Sequence, residues 1–475
     1  MIRIIAYLLF ISTNAWSQNN LDDIEKTIEK DRNLTNLSNT AKAISLNDAI
    51  EEGLRKNNAE LLRKYQRQIN ELNFKDAFED FYFPKLNLTM QTTDDHFVEN
   101  IYRDDIENAE SSKTPQGFIG LEMPDYTLFN WGKDFLNYLN EKEIYKRNKQ
   151  IFVEQRRELR FRIITNYFNL SRLRNISRVY KKQLSHTSFI YKLAKEKLGL
   201  RKINSQEYLQ AKAEFLKAHK NYQASLFAYY SQQQELADIM GDNPETVYTT
   251  TDSLKFNPLV LGAAEAQKLI AQNSPQVRDA RTSLENANRT YQRVLKDNLP
   301  LPKFSLKLGS YRKTFSQDGV QDNFETFDGS RNLEVAATVN MTWTIFGSGG
   351  FFNSRVTERS YYQKRMAEIN LKEAYRDTRV ANQLTNSRIN YLEKQFNATE
   401  AQLKNARKVF DYAIDNYIDS KTGFAELKLV LDEIQDAGIS LENVKYDHLV
   451  EKITYASVLG IDDFPGEKFE NLVEK

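Results

Sequence analysis

Two hydrophobic rhythms run along this chain, and each occurs twice. In the first, apolar residues recur at three- and four-residue spacing: Leu159, Ile163, Tyr167, Leu170, Leu173, Ile176, Tyr180 and Leu184 form one such row. That spacing puts them on one face of an α-helix, predicted to run from about Gly132 to Leu198. A second long helix is predicted from near Phe351 to Ile418. After short breaks, "LGLRKINS" at Leu198–Ser205 and "DSKTG" at Asp419–Gly423, partner helices run to about Met240 and Leu459. In the second rhythm, apolar and polar residues alternate. Leu86, Leu88 and Met90 alternate with Asn87, Thr89 and Gln91, and Leu333, Val335, Ala337, Val339, Met341, Trp343 and Ile345 share one parity. Four such runs, near Pro84–Thr92, Phe118–Phe129, Pro302–Phe315 and Leu333–Ile345, read as strands with one apolar face. Pro124 and Asp125 interrupt the second run, which predicts a bulge or an early strand end.

The order of the rhythms repeats because the chain does. "FPKLNLTM" at Phe83–Met90 returns as "LPKFSLKL" at Leu301–Leu308, and "LRKNNAEL" at Leu54–Leu61 as "IAQNSPQV" at Ile270–Val277. "TLFNWGKDFLN" at Thr127–Asn137 returns as "TIFGSGGFFN" at Thr344–Asn353. All three phrases keep nearly one offset, which defines two tandem copies, residues 44–242 and 261–461, joined by a linker at 243–260. Each copy is a helix, a β-hairpin (84–129 or 302–346), a very long helix and a further helix. The first opens at a capping signal, Ser45 with Asp48, and its first helix is expected to run unbroken over about Leu46–Phe81. Residues 18–43 form an N-terminal extension and 462–475 a C-terminal tail. A helix of some 66 residues is roughly 100 Å long. The two shorter helices of a copy, end to end, match that length, so the copies build a long antiparallel helical wall.

Composition narrows the function. Only 17 glycines and 9 prolines in 475 residues fit a few very long elements. Lys and Arg number 66 against 65 Asp and Glu, so no whole-chain basic field argues for nucleic acid. The absence of cysteine removes disulfides, thiolate metal sites and cysteine nucleophiles. His96, His186, His219 and His448 have no ligand-like spacing, and no nucleophile–base set or phosphate loop stands out. Neither an enzyme nor a cofactor is expected. The opening "MIRIIAYLLFISTNAWSQ" has Arg3, an apolar run and small residues near its end. It reads as a secretory signal over residues 1–17, too short to span a bilayer as a helix.

Export changes the reading of the strands. Runs of about ten residues, apolar on one face, are the mark of an outer-membrane barrel. Phe129 with Trp131, and Trp343 with Phe346, stand where an interfacial aromatic belt would lie. The polar segments Thr93–Gly117 and Arg312–Arg331 are expected as long loops. Four strands cannot close a barrel, and lipid does not tolerate an open edge, so several chains must share one. Two copies give eight strands and a filled interior; three give twelve and room for a pore.

The tandem repeat, the Pro-Lys strand starts, and "LFNWG" and "IFGSGG" leading into long helices resemble the TolC-like outer-membrane efflux family over nearly the whole mature chain. That resemblance implies a mainly α fold with membrane β: long helical hairpins form a periplasmic tunnel beneath a shared 12-stranded trimeric barrel. It implies a passive homotrimer in outer-membrane lipid, working with a periplasmic adaptor protein and an inner-membrane transporter of RND, ABC or MFS type. Efflux of drugs or small molecules, or type I secretion of polypeptides, would follow. The hairpin breaks would form the periplasmic tip, where acidic rings narrow the channel and bind cations. Glu426 and Glu207 match the acidic positions, and Leu429 stands where a second acid is expected. Gly199 keeps the glycine common near the break, whereas Asp419 departs from it. The alternative is a periplasmic coiled-coil spacer without a pore, which leaves the four strands unexplained.

Overall fold

The structure is a computed structural model describing residues 41–102, 110–243, 245–315, 324–325 and 335–474. The signal sequence and nearly all of the N-terminal extension lie outside these residues. The first half runs β1 (Lys42–Ile44), α1 (Leu46–Lys56), α2 (Asn58–Tyr82), β2 (Asn87–Tyr102), β3 (Glu110–Phe129), α3 (Lys133–Gly199) and α4 (Ser205–Met240). After β4 (Tyr248–Thr250) and β5 (Ser253–Leu254) come α5 (Ala263–Asn273), α6 (Pro275–Asp297), β6 (Lys303–Phe315), β7 (Phe324–Glu325) and β8 (Val335–Asn340). The chain ends with α7 (Ser354–Ile418), α8 (Phe424–Leu459) and β9 (Val473–Glu474).

The helix expected over Leu46–Phe81 is in fact two. Asn57 leaves helical geometry (φ −63°, ψ 128°) and caps α2 by accepting from the Ala59 amide at 2.8 Å. Its Nδ2 donates to the Ile239 carbonyl at 2.6 Å, tying the break to the end of α4. In the second copy the break falls at Ser274, where Pro275 pushes the preceding residue out of the helical region. The repeated phrase "LRKNNAEL"/"IAQNSPQV" is therefore a helix break. A glycine closes each break from the other side. Gly241 and Gly460 end α4 and α8 at φ 74° and 71°, the left-handed C-cap that glycine adopts without penalty. A Cβ on Gly241 would stand 2.9 Å from the Lys56 carbonyl oxygen, and one on Gly460 would collide with the Asn273 carbonyl.

Helices α3 and α7, of 67 and 65 residues, run the whole length of the helical body. At one end α2, α3, α6 and α7 pack side by side in that order; at the other, α3 pairs with α4 and α7 with α8. Among the described residues no helix is long and apolar enough to cross a membrane.

Five strands form one antiparallel sheet in which β2 pairs β3 and β3 pairs β6, while β7 and β8 both lie along the far side of β6; among the described residues the outer sides of β2 and β8 pair with no further strand. Register between β3 and β6 shifts between Met123 and Tyr126, the stretch holding Pro124 and Asp125, as the broken parity predicted. Two strand boundaries differ from expectation. The segment Thr93–Gly117 is largely strand rather than loop, since β2 and β3 stay paired out to Tyr102 opposite Glu110; polar residues pair by backbone as readily as apolar ones. β8 stops at Asn340, short of Ile345, because the chain turns there toward α7, with the Phe352 amide donating to the Ile345 carbonyl at 2.9 Å.

The main core lies midway along the body. Ile163, Ile164, Tyr167, Phe168 and Leu170 of α3 are fully buried against Leu46, Leu236, Met240, Val277 and Leu459, and burying each large side chain contributes about 1.5–3 kcal/mol. The linker and tail are built into this core. β4 pairs in parallel with β1, and β5 antiparallel with β9. Asp252 of the linker accepts from the Leu46 amide at 2.9 Å and from the Tyr167 hydroxyl at 3.0 Å. Phe464, Phe469 and Leu472 of the tail are buried. Arg160 of α3 holds the tail through Asp463 at 2.9 Å and Glu470 at 2.6 Å.

Candidate functional site

The hairpin turns lie at the end of the body opposite the sheet. Each consists of five residues, 200–204 and 419–423, and each puts one non-glycine residue in the left-handed region, Arg201 (φ 55°) and Ser420 (φ 60°). Gly199 is the last residue of α3, with nothing within 4 Å of where a Cβ would be. Behind the turns, Ile190, Ala194, Ala211, Phe410, Tyr417, Phe424, Leu427 and Leu431 form a second buried cluster shared by all four helices.

Two polar contacts join one hairpin to the other above that cluster. Lys197, at the end of α3, donates to the Tyr417 carbonyl and to the Ser420 hydroxyl at 3.0 Å, with its Nζ 4.4 Å from the Tyr417 ring centroid. The same carbonyl also accepts from the Ser420 amide at 3.1 Å, so the ammonium adds a second donor at the end of α7. Burial holds the Lys197 ammonium below its usual range, with Glu207 opposing that shift. Glu207 makes one hydrogen bond through its backbone and one through its side chain. Its own amide donates to the Asn204 cap at 2.8 Å, and its Oε1 accepts from the Phe424 amide at 3.1 Å, at the start of α8. Glu207 is thus placed as an N-cap for the neighbouring hairpin.

Glu426 lies exposed in the first turn of α8, and Leu429 is 71% exposed. Asp419 is exposed and paired with Lys421 at 2.8 Å, a contact that holds its carboxyl below the usual range. The tip residues singled out in the sequence therefore fall at one end of the molecule, but in different environments. Sequence reasoning missed a four-charge cluster further along. Glu214 and Lys217 of α4 meet Lys428 and Asp432 of α8, with Lys217–Glu214 at 3.1 Å, Lys217–Asp432 at 3.6 Å and Lys428–Glu214 at 3.7 Å. The intrahelical pairs at i,i+3 and i,i+4 were legible; their meeting across two helices was not.

At the opposite end, the aromatics cluster where strands give way to helices. Phe129 lies 5.3 Å from Trp131 and 6.2 Å from Phe304 between ring centroids. The Trp131 indole donates to the Pro302 carbonyl at 3.0 Å, and that of Trp343 to Asn298 at 3.3 Å. The first bond stitches the two repeats together. Trp343 stacks on Phe352 at 4.7 Å, while Phe346 is 78% exposed. Among the described residues no group of acidic and histidine side chains could hold a metal ion.

No protein-family model and no curated protein matches this chain by sequence. Solved structures do match it. The outer-membrane protein VceC from Vibrio cholerae superposes with a TM-score of 0.70 at 15% identity, covering 87% of this chain and 96% of that one. The CmeC outer-membrane channel of Campylobacter jejuni gives 0.70 at 16% identity, over 90% and 88%. The open state of the MtrE outer-membrane channel of Neisseria gonorrhoeae gives 0.68 at 15%, over 88% and 89%. The chain has the fold of these TolC-like outer-membrane channels, with their long helical hairpins.

Proposed function

We propose that this protein is the outer-membrane channel of an export system, three copies forming one conduit that carries solutes passively from periplasm to exterior. One observation carries the reading: a sheet four strands wide, with β7 and β8 sharing the place beside β6 and both edges open among the described residues, surmounts a helical body about 100 Å long. Lipid admits such a sheet only if its edges pair with further copies, and twelve strands enclose a pore. The fold shared with known outer-membrane channels supports the same arrangement. The hairpin tips would meet a periplasmic adaptor protein, itself bridged to an RND, ABC or MFS inner-membrane transporter that supplies the energy. Exposed Glu426 would contribute one carboxylate per copy to a ring at the channel's narrow end, where it favours cations. Glu207, engaged with the Phe424 amide, would hold the two hairpins of one copy together.

The deciding experiment compares the native mass of full-length protein from cell envelopes with and without detergent, followed by conductance in a planar bilayer. A detergent-dependent species of three chains that conducts ions is expected. A water-soluble monomer or dimer would overturn the channel and leave the coiled-coil spacer.

A further inference from the structure

A cavity of about 740 Å³ opens where the first repeat passes between helix and strand, among the ends of α2 and β3 and the start of α3. That volume lies within the usual range of small-molecule pockets, about 300–1,000 Å³. One wall is aromatic: Phe81 stacks on Tyr138 with centroids 5.2 Å apart, and Phe135 lies 5.9 Å from Phe81. The other is acidic, with Asp80, Asp134 and Glu141; Lys85 is the one cation among the lining residues, paired with Asp80 at 2.7 Å. Aromatic faces beside carboxylates attract an organic ammonium group, and a lysine at the rim suits a phosphate.

The repeat itself does not require this chemistry. The helix ending in the first copy reads "AFEDFYFPK" (Ala77–Lys85), with four aromatics, whereas the second reads "VLKDNLPLPK" (Val294–Lys303), with none. The sheet register indicates which faces reach the cavity. Tyr126 pairs with Leu306 and Phe129 with Phe304, and these pair in turn with Ala337 and Val339. Directly paired residues project to the same face, so this row is the apolar one. Ser305 and Thr338 join their hydroxyls at 2.9 Å on the other face. Tyr126 and Phe129 of that row line the cavity together with Thr127 and Leu128 between them, so it lies at the foot of the sheet and is reached by the apolar face as well as the polar one. Exposed Phe83 and Leu86, 57% and 59% accessible, offer apolar surface for acyl chains beside it.

We infer that the cavity binds the headgroup of an amine-bearing phospholipid of the phosphatidylethanolamine type. The ammonium sits against the exposed ring of Phe135, which Tyr138 backs, between Asp134 and Glu141, and the phosphate at Lys85. An anionic headgroup lacking the amine would bring no cation to the three carboxylates, only hydroxyl donors against added like charge. The inference rests on the membrane placement proposed above.

The test is native mass spectrometry of the full-length, delipidated protein in detergent, titrated separately with dioleoyl phosphatidylethanolamine and dioleoyl phosphatidylglycerol. Retention of the ethanolamine lipid is expected to exceed that of the glycerol lipid about tenfold. The double variant Asp134→Asn/Glu141→Gln, and separately Phe135→Leu, should abolish that preference while leaving phosphatidylglycerol retention unchanged. Equal retention of the two lipids by the unaltered protein overturns the inference, as does a preference that survives in both variants. Should the protein instead prove water-soluble, the channel reading fails by itself. Water-soluble glycerophosphoethanolamine then probes the cavity: binding lost in the double variant upholds the headgroup chemistry, and absence of binding overturns it.

Discussion

Gly460 and Gly199 are both glycines at helix ends, yet opposite outcomes are expected when each gains a methyl group. Gly460 holds a left-handed φ against the Asn273 carbonyl, so Gly460→Ala is expected to cost about 1–3 kcal/mol, seen as a lower Tm. Gly199 is helical with open space around it, and Gly199→Ala should be neutral or stabilising by up to about 1 kcal/mol. A titrating residue gives a second test. His448 is buried with Phe256 at 4.6 Å, Glu393 3.4 Å from its Nε2, and Lys452 and Glu467 alongside. Burial and Lys452 hold its pKa below the ordinary 6.5, although Glu393 and Glu467 oppose the shift. A depressed histidine pKa means that the unfolded chain takes up the proton first. Stability is therefore full above 6.5 and falls as pH drops from 6.5 through the folded-state value. Thermal melts between pH 7.5 and 5 should show that loss, and His448→Gln should lessen it; an identical slope in the variant would rule out His448 as its source. None of this was legible in sequence, where His448 was one scattered histidine and Gly460 one glycine among 17.

Long elements wrote themselves into the sequence, and short ones did not. Helices of 67 and 36 residues repeat their apolar spacing often enough to be read end to end, with boundaries displaced by only a residue or so. The break at Asn57 escaped because no proline or glycine marks it, whereas Pro275 marks the matching break at Ser274. β1, β4, β5 and β9, of two or three residues each, are too short to show any period at all. The tail in particular is held by tertiary contacts: Arg160 meets Asp463, Glu470 and the Asp462 carbonyl, and Arg157 meets Asp462 at 2.5 Å. Arg160→Ala should therefore leave the hairpins intact but free the tail. Limited trypsin treatment is expected to cut at Lys468 several-fold faster in the variant, with α3 still resistant; unchanged cleavage would mean that the buried Phe464, Phe469 and Leu472 suffice.

For the whole molecule, the legible part of the proposed channel was its membrane end and its general tip, read from strand parity and repeat spacing. The partners of each charge were not legible, because they come from helices more than two hundred residues apart: Glu207 meets Phe424, and Glu214 meets Lys428. If three copies form the proposed channel, Glu426→Gln removes three carboxylates from its narrow end and should lower cation preference in reversal-potential measurements while leaving the unfolding free energy within about 0.5 kcal/mol of the original. An unchanged reversal potential would remove Glu426 from the conduction path. The belt midway along the body braces the two repeats against each other through their outer segments. Val473–Glu474 pairs with Ser253–Leu254, and Leu472 just before it is buried. A cut after Asp463 would leave both hairpins and the sheet in place yet open the core at its middle, so the long helices would lose their brace without losing an element.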